Sequence, residues 1–310
     1  MSTWNLSQMV SQSNKRVVVT GTGGLGLETA VALARAGAEV VVAGRNSEKG
    51  KQAIARVLLE VPAATVFFES LDLADLGSIR EFAVRLEQRW DGLEVLVNNA
   101  AVMALPKRRT TIDRFELQFG TNYLGHFALT ARLMPLLLTG TSSRVVTLSS
   151  IAAREGVLNL EDLQSETRYQ PMEAYAQSKL ACLMFALEMS KRSKKEGWGV
   201  TSVAAHPGIS RTDLLPNGAG LKSLQGLVRK YLWFLFQPAS QGALPTLFAA
   251  TAPAVSGGEY YGPNRLSETR GYPAKAKVPP QALDGEASSR LWEASENLTG
   301  VTFASPSFSK

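Results

Sequence analysis

Tyr175 and Lys179 stand four residues apart in the stretch Glu173-Ala174-Tyr175-Ala176-Gln177-Ser178-Lys179-Leu180. On a helix this spacing puts both side chains on one face, one turn apart. A phenol with a reference pKa of about 10 is a poor acid or base near neutrality. A fixed ammonium beside it favours the phenolate and lowers that pKa. Tyr-x-x-x-Lys is therefore an acid–base pair able to work near pH 7. The same spacing also arises where a half-buried tyrosine lies beside a surface lysine, so the company it keeps decides. Upstream, Ser149-Ser150 ends a short apolar run at 144–148, and a second amide-bearing stretch surrounds Asn122.

These groups need a scaffold, and the first half of the chain supplies a recognisable one. Residues 16–20 form a β-branched run expected to be a buried strand. Gly21-Thr22-Gly23-Gly24-Leu25-Gly26 follows, then helical apolar spacing over 27–36 and a stop at Gly37. Strand, glycine turn and helix in that order form a dinucleotide-binding signature. The glycines allow close approach to a pyrophosphate, and the helix N-terminus offers free amides and positive dipole. The next strand, 39–43, ends in Gly44-Arg45-Asn46. An acidic residue there would suit a ribose 2′-hydroxyl; Arg45 suits a 2′-phosphate, so NADP(H) is expected ahead of NAD(H).

Helices at 48–59 and 76–90 and strands at 64–70 and 93–97 continue the alternation. Asp72, in Leu71-Asp72-Leu73, either meets an adenine amino group or caps the helix that follows. Asn98-Asn99-Ala100-Ala101 closes the fourth strand with small and amide side chains that leave room for a cofactor. Residues 109–138 are expected to be largely helical. Within them Asn122 either satisfies backbone groups at a kink or holds a water. The sixth strand, 200–205, runs into His206-Pro207-Gly208-Ile209-Ser210-Arg211-Thr212. The pattern predicts an α/β fold, a single Rossmann-type doubly wound parallel sheet of about seven strands flanked by helices, with ligands at the strands' carboxyl ends. No composition shift divides residues 1–310, which are expected to be one domain.

Composition narrows the class. The 310 residues carry a net charge of +6, which suits anionic ligands. The basic clusters lack interleaved aromatics, so nucleic acid is not an expected partner. Cys182 is the one cysteine, and no metal-ligand spacing surrounds His126 or His206. Residues 1–14 lack a signal-peptide pattern and no apolar run reaches membrane-span length, so a cytoplasmic protein is expected.

With these motifs in order, the chain resembles the short-chain dehydrogenase/reductase family over about residues 4–303, and within it the retinol-dehydrogenase-like branch. Asn98-Asn99-Ala100, the Asn122 stretch, Ser149-Ser150, Tyr175-x-x-x-Lys179 and His206-Pro207-Gly208 carry the resemblance. Tyr175-Ala176-Gln177-Ser178-Lys179-Leu180, the insert before it (with Asp162, Glu166 and Arg168) and Gly257-Gly258-Glu259-Tyr260-Tyr261-Gly262-Pro263 point to the branch.

The resemblance implies carbonyl–alcohol interconversion on a small hydrophobic substrate. In it, Tyr175 is the general acid or base. Lys179 lowers its pKa and bonds the nicotinamide ribose. Ser150, rather than Ser149, holds the substrate oxygen. Asn122 holds a relay water. Gly21, Gly23, Gly24, Leu25, Gly26, Arg45, Asn46, Asp72, Leu73, Asn98, Ala100, Pro207, Gly208 and Thr212 line the cofactor. Family habit implies a homodimer or homotetramer.

Two departures stand out. The glycine turn is one residue shorter than the family's Thr-Gly-x-x-x-Gly-x-Gly, and the missing position commonly helps hold the adenosine phosphate. Ala101 replaces a usual glycine, with slight crowding expected.

By the same resemblance residues 214–236 hold the substrate lid, where 221–236 can form an amphipathic helix. It either packs over the active-site mouth or touches a membrane surface through its basic residues and Trp233 and Phe234. Helices are expected at 241–251 and 287–297, a seventh strand at 259–261, and a loose tail at 303–310. Two other functions fit the same fold: a cofactor-binding sensor without turnover, and an epimerase or dehydratase that recycles its cofactor.

Overall fold

Val17, Val18 and Val19 are fully buried, yet alternate between two apolar clusters, one on each side of the strand they form. Val40 to Val42 and Val95 to Val97 do the same, with Leu96 and Val18 on one side and Val95, Val97, Val17 and Val19 on the other. Continuous β-branched runs without polar alternation are what a parallel sheet covered on both faces requires. The computed structural model describes residues 3–210 and 237–303. Thr212, the lid at 214–236 and residues 304–310 of the tail lie outside them.

Eight strands build one sheet: β1 (Arg16–Thr20), β2 (Glu39–Gly44), β3 (Val66–Ser70), β4 (Val95–Asn98), β5 (Arg144–Leu148), β6 (Thr201–Ala205), β7 (Tyr260–Arg265) and β8 (Arg270–Lys275). Their order is β3-β2-β1-β4-β5-β6-β7-β8. All pairings are parallel except β7 with β8. The order reverses between β1 and β4, which opens a crevice outside their carboxyl ends. The expected seventh strand is longer than 259–261, and β8 is an addition to the seven expected. Arg270-Gly271-Tyr272-Pro273-Ala274-Lys275 has neither an apolar run nor clean alternation, so tertiary pairing with β7 makes this strand rather than local propensity.

The described helices are α1 (Gly24–Arg35), α2 (Ser47–Glu60), α3 (Leu76–Arg89), α4 (Leu117–Phe119), α5 (Gly125–Arg132), α6 (Met134–Thr139), α7 (Pro171–Glu196), α8 (Ala239–Gly242), α9 (Leu244–Thr251) and α10 (Gly285–Thr299). Residues 109–116 are not helical as expected: Thr110 and Glu116 pair as an isolated β-bridge, and helix begins at Leu117. The buried Glu116 carboxylate starts it by accepting from the amides of Gln118 and Phe119 at 2.9 and 2.7 Å. Between α4 and α5 lies a π-helical turn, Gly120–Leu124, which holds Asn122.

α7 starts with Pro171, whose fixed φ suits a first helical position. It stops at Gly197, left-handed with φ 68°. α10 covers this helix through Trp292, whose ring lies 5.7 Å from Phe185 and 5.1 Å from Phe127. α7 is thereby packed along most of its length, which holds Tyr175 and Lys179 rigidly toward the sheet.

Candidate active site

The carboxyl ends of β1, β4, β5 and β6 bring together four of the motifs. At β1, Thr20 leads into Gly21, whose φ of 102° excludes a side chain without strain. A Cβ on Gly26 would lie 2.6 Å from Asn99 Nδ2 and 2.7 Å from the Gly21 carbonyl, so the turn is packed onto the end of β4. Asn99 clasps it: Nδ2 donates to the Thr20 carbonyl at 2.7 Å, and the amides of Asn99 and Ala100 donate to Thr20 Oγ1 at 2.9 and 3.0 Å.

Gly23 differs from its neighbours. It is exposed, has ordinary extended backbone, and a Cβ there would touch none of the described residues within 4 Å. It precedes α1 with no side chain capping the helix. Free first-turn amides beside an open glycine fit a pyrophosphate. Leu25 lies against Gly242 of α8.

Arg45 is exposed just past β2, and Asn46 accepts the Lys49 amide at 2.9 Å as the cap of α2. Thr22 lies against Gly44, bringing the shortened turn to the end of β2. Asp72 does not cap α3; Asp75 does, accepting from Gly77 and Ser78. Asp72 Oδ1 instead accepts the Ala74 amide at 2.9 Å. Leu73 is buried, its carbonyl against Gly125. Ala101 has no positive φ, so its methyl group brings no backbone strain.

Asn98 donates to Thr130 Oγ1 at 3.0 Å, while its buried Oδ1 has no partner among the described residues. At β6, Gly208 has φ 65°, and Pro207 accepts from Ser210 Oγ and Gln237 Nε2 at 2.9 and 2.6 Å.

At the end of β5 the two serines separate. Ser149 is buried and Ser150 partly exposed. Ser150 caps the 3-10 turn Ile151–Arg154, its Oγ accepting the Ala152 amide at 3.2 Å. That turn packs against α7, bringing Ser150 toward the Tyr175 phenol. Burial pushes the Tyr175 phenol up to about 12, with Ser150 pulling it partly back. Lys179 is itself buried, Nζ donates to the Leu148 carbonyl at 2.9 Å, and burial lowers its pKa. Tyr260 lies alongside, its hydroxyl 3.5 Å from the Ser150 carbonyl.

Two of the three intervening residues of the α7 motif have separate tasks. Gln177 accepts from the Asn159 amide and donates to the Leu163 carbonyl, tying down the insert. Ser178 accepts from Asn122 Nδ2 at 3.0 Å. Asn122 also grips Val102 at both ends, accepting its amide at 2.8 Å and donating to its carbonyl at 2.9 Å. The backbone reading of Asn122 is therefore realised, and it sits in a π turn, a distortion frequent at functional sites. Its own carbonyl receives His126 Nδ1 at 2.9 Å and the Cys182 thiol at 3.1 Å. Cys182 is a buried thiol whose pKa burial raises.

His126, Ser178 and Tyr260 were given no role in the site by sequence reasoning. His126 and Ser178 flank Asn122 and Lys179 within quoted motifs, which is the signal that could have found them.

The arrangement can hold a substrate oxygen between a serine and a tyrosine hydroxyl beside a dinucleotide turn. Residues 15–219 match the family model described as short chain dehydrogenase. The chain is 40% identical over 297 residues to retinol dehydrogenase 13 of Mus musculus, covering 94% of this chain and 85% of that protein. It is 38% identical over 291 residues to polyprenol dehydrogenase of Homo sapiens, covering 92% and 84%. A crystal structure of an uncharacterised protein from Mycobacterium paratuberculosis superposes with TM-score 0.81 at 38% identity, covering 98% of this chain and 100% of that one. A Shigella flexneri short chain dehydrogenase complexed with NADP shares the fold, with TM-score 0.63 at 21% identity and coverage of 80% and 96%.

Proposed function

The chain belongs to the short-chain dehydrogenase family, in its retinol-dehydrogenase-like branch, and on that premise we propose that it is an NADP(H)-dependent oxidoreductase interconverting a carbonyl and an alcohol on a hydrophobic substrate. The observation that carries the reading is the packing of the Ser150-capped turn, at the end of β5, against the helix that bears the buried Tyr175 and Lys179 one turn apart. When bound, the nicotinamide supplies or accepts the hydride.

The chain's own residues orient the substrate and move the proton. Ser150 donates to the substrate oxygen and stabilises charge that develops there. Tyr175 gives its proton to that oxygen in reduction and takes it back in oxidation. Burial keeps the phenol protonated through the neutral range, the form that donates. Lys179, fixed by the Leu148 carbonyl, holds the ribose of the nicotinamide. Asn122 fixes the π turn against α7 and so sets the distance between the two elements.

Gly21, Gly23, Gly24 and Gly26 with the start of α1 receive the pyrophosphate, and Arg45 the 2′-phosphate. Relatives named for retinol and polyprenol, both apolar alcohols, support a greasy substrate here. No described helix is long and apolar enough to cross a membrane.

Fluorescence titration of the purified protein with NADPH and NADH tests the reading. Tighter binding of NADPH, reversed or abolished by Arg45→Asp, is expected. Equal binding of both cofactors, or a preference untouched by that substitution, would remove Arg45 from its role.

A further inference from the structure

His206 is one of two histidines in the chain and is completely buried. Its ring is fixed through both nitrogens. Nδ1 faces the Gly208 amide at 3.2 Å, and Nε2 faces Glu268 Oε2 at 3.0 Å. An amide can only donate, so Nδ1 accepts and Nε2 carries the proton. His126 has the opposite form, with its proton on Nδ1 toward the Asn122 carbonyl. The two histidines are therefore distinguishable tautomers.

Glu268 belongs to the turn between β7 and β8, where Leu266, Ser267 and Glu268 have φ of 48°, 54° and 66°. Three successive non-glycine residues in the left-handed region are disfavoured by their side chains, and such strain persists only where the surroundings over-determine it. Here the carboxylate is the anchor. Oε2 also accepts from Arg154 Nη2 at 2.5 Å, and Oε1 accepts the Lys277 amide at 3.0 Å. Arg154 ends the 3-10 turn that Ser150 caps.

The rest of the neighbourhood is shaped to the ring. A Cβ on Gly262 would fall within 1.9 Å of His206 Nε2, and the Tyr260 ring lies 5.1 Å away. Gly208 passes so close to the Thr269 carbonyl that a Cβ would lie 2.3 Å from it, and the Ile209 amide donates to that carbonyl at 2.7 Å. One carboxylate thus joins the β7–β8 turn, the Ser150 turn and the Pro207-Gly208 turn.

We propose that Glu268 is a positioning residue for the nicotinamide end of the site: it holds His206 as the Nε2–H tautomer, whose Nδ1 then fixes the Pro207-Gly208 turn, while Arg154 links the same carboxylate to Ser150. This rests on the cofactor reading given above for what Pro207 and Gly208 contact, and on the geometry alone for the tautomer.

The test compares wild type, Glu268→Ala and Glu268→Gln by nitrogen-15 histidine spectra, by turnover, and by affinity for NADPH and for 2′,5′-ADP. The last probe carries only the adenosine half and does not reach the Pro207-Gly208 turn. In Glu268→Ala the Nε2–H signature of His206 is expected to give way to mixed tautomers. Turnover is expected to fall about tenfold or more, because small displacements of reacting groups are costly. NADPH affinity falls with it, while 2′,5′-ADP affinity stays within about twofold. Glu268→Gln keeps an acceptor facing His206 and Arg154 while giving up the one that receives the Lys277 amide, and recovers the tautomer and part of the turnover.

An unchanged tautomer and unchanged turnover in Glu268→Ala would overturn the proposal. So would equal loss of affinity for both probes, the sign of general damage. If wild type bound neither probe, the cofactor reading would fail, while the histidine spectra would still decide whether Glu268 sets His206.

Discussion

The Ser149 hydroxyl donates to the main-chain carbonyl of Lys179 at 2.7 Å, tying the end of β5 to the middle of α7. That bond commits Ser149 to structure and leaves its neighbour to face Tyr175. Ser150→Ala is expected to lower turnover by about 10²- to 10³-fold, as for loss of one donor to a developing oxyanion. Ser149→Ala should instead cost about 0.5–1.5 kcal/mol of stability, the usual worth of one hydrogen bond, with a smaller effect on rate. Urea unfolding and steady-state kinetics on both variants decide. A larger rate loss in Ser149→Ala would exchange the two roles.

Tyr175→Phe should reduce turnover to background while NADPH still binds, because the ring remains and only the transferable proton is lost. The direction of the phenol's shift adds a pH signature. Oxidation needs the phenolate, and burial raises the pKa to about 12. Alcohol oxidation should therefore climb with pH across the neutral and alkaline range, while carbonyl reduction stays level until the phenol begins to ionise. Paired pH–rate profiles measure this, and an oxidation rate that is flat above neutrality would rule it out.

The glycine turn offers two alanine substitutions with opposite expected outcomes. Gly26→Ala drives a methyl group into Asn99 and the Gly21 carbonyl, and overpacking of this kind costs about 1–3 kcal/mol. Gly23→Ala meets no atom of the described residues within 4 Å and should leave the unfolding midpoint alone. If the open side of Gly23 is where a pyrophosphate lies, Gly23→Ala weakens NADPH binding in a fully stable protein. Undiminished binding would place the phosphate elsewhere.

His126 gives a stability signature. Burial pushes its pKa down to about 3 from an ordinary 6.5. Between those values the unfolded chain takes up a proton that the folded chain does not. Its contribution is thus fully present above about pH 6.5 and is lost as pH falls toward 3. His126→Asn should make the decline in stability over that window shallower than in wild type. Urea midpoints at a series of pH values provide the comparison. Parallel curves would mean that the folded protein protonates His126 readily.

Much of this was visible in the residues before any coordinates. The valine runs were legible because a strand buried on both faces has few alternatives. Gly21 and Gly26 were legible because a glycine turn between a strand and a helix is a local sequence pattern, although the packing that requires them comes from Asn99. Asn122 was legible only as a pair of alternatives, since its backbone partner, Val102, arrives from another segment. Asp75 displaced Asp72 as the cap of α3 because three residues decide which carboxylate faces the first amides, and propensity does not resolve that. The Tyr175 pKa could not be read from its spacing to Lys179. Spacing shows proximity, whereas burial is set by the packing of the folded chain. Glu268 carried no signal at all: its partners, His206 and Arg154, lie 62 and 114 positions away.

The antiparallel strand β8 closes the sheet on one side, and its sequence makes that closure final. Pro273 sits mid-strand opposite Pro263 and has no amide hydrogen to offer a further strand. Arg270 and Lys275 put exposed charge at both ends of the same strand. A β edge of this kind resists pairing with another copy of itself, which keeps a valine-rich sheet from seeding aggregation as the chain folds.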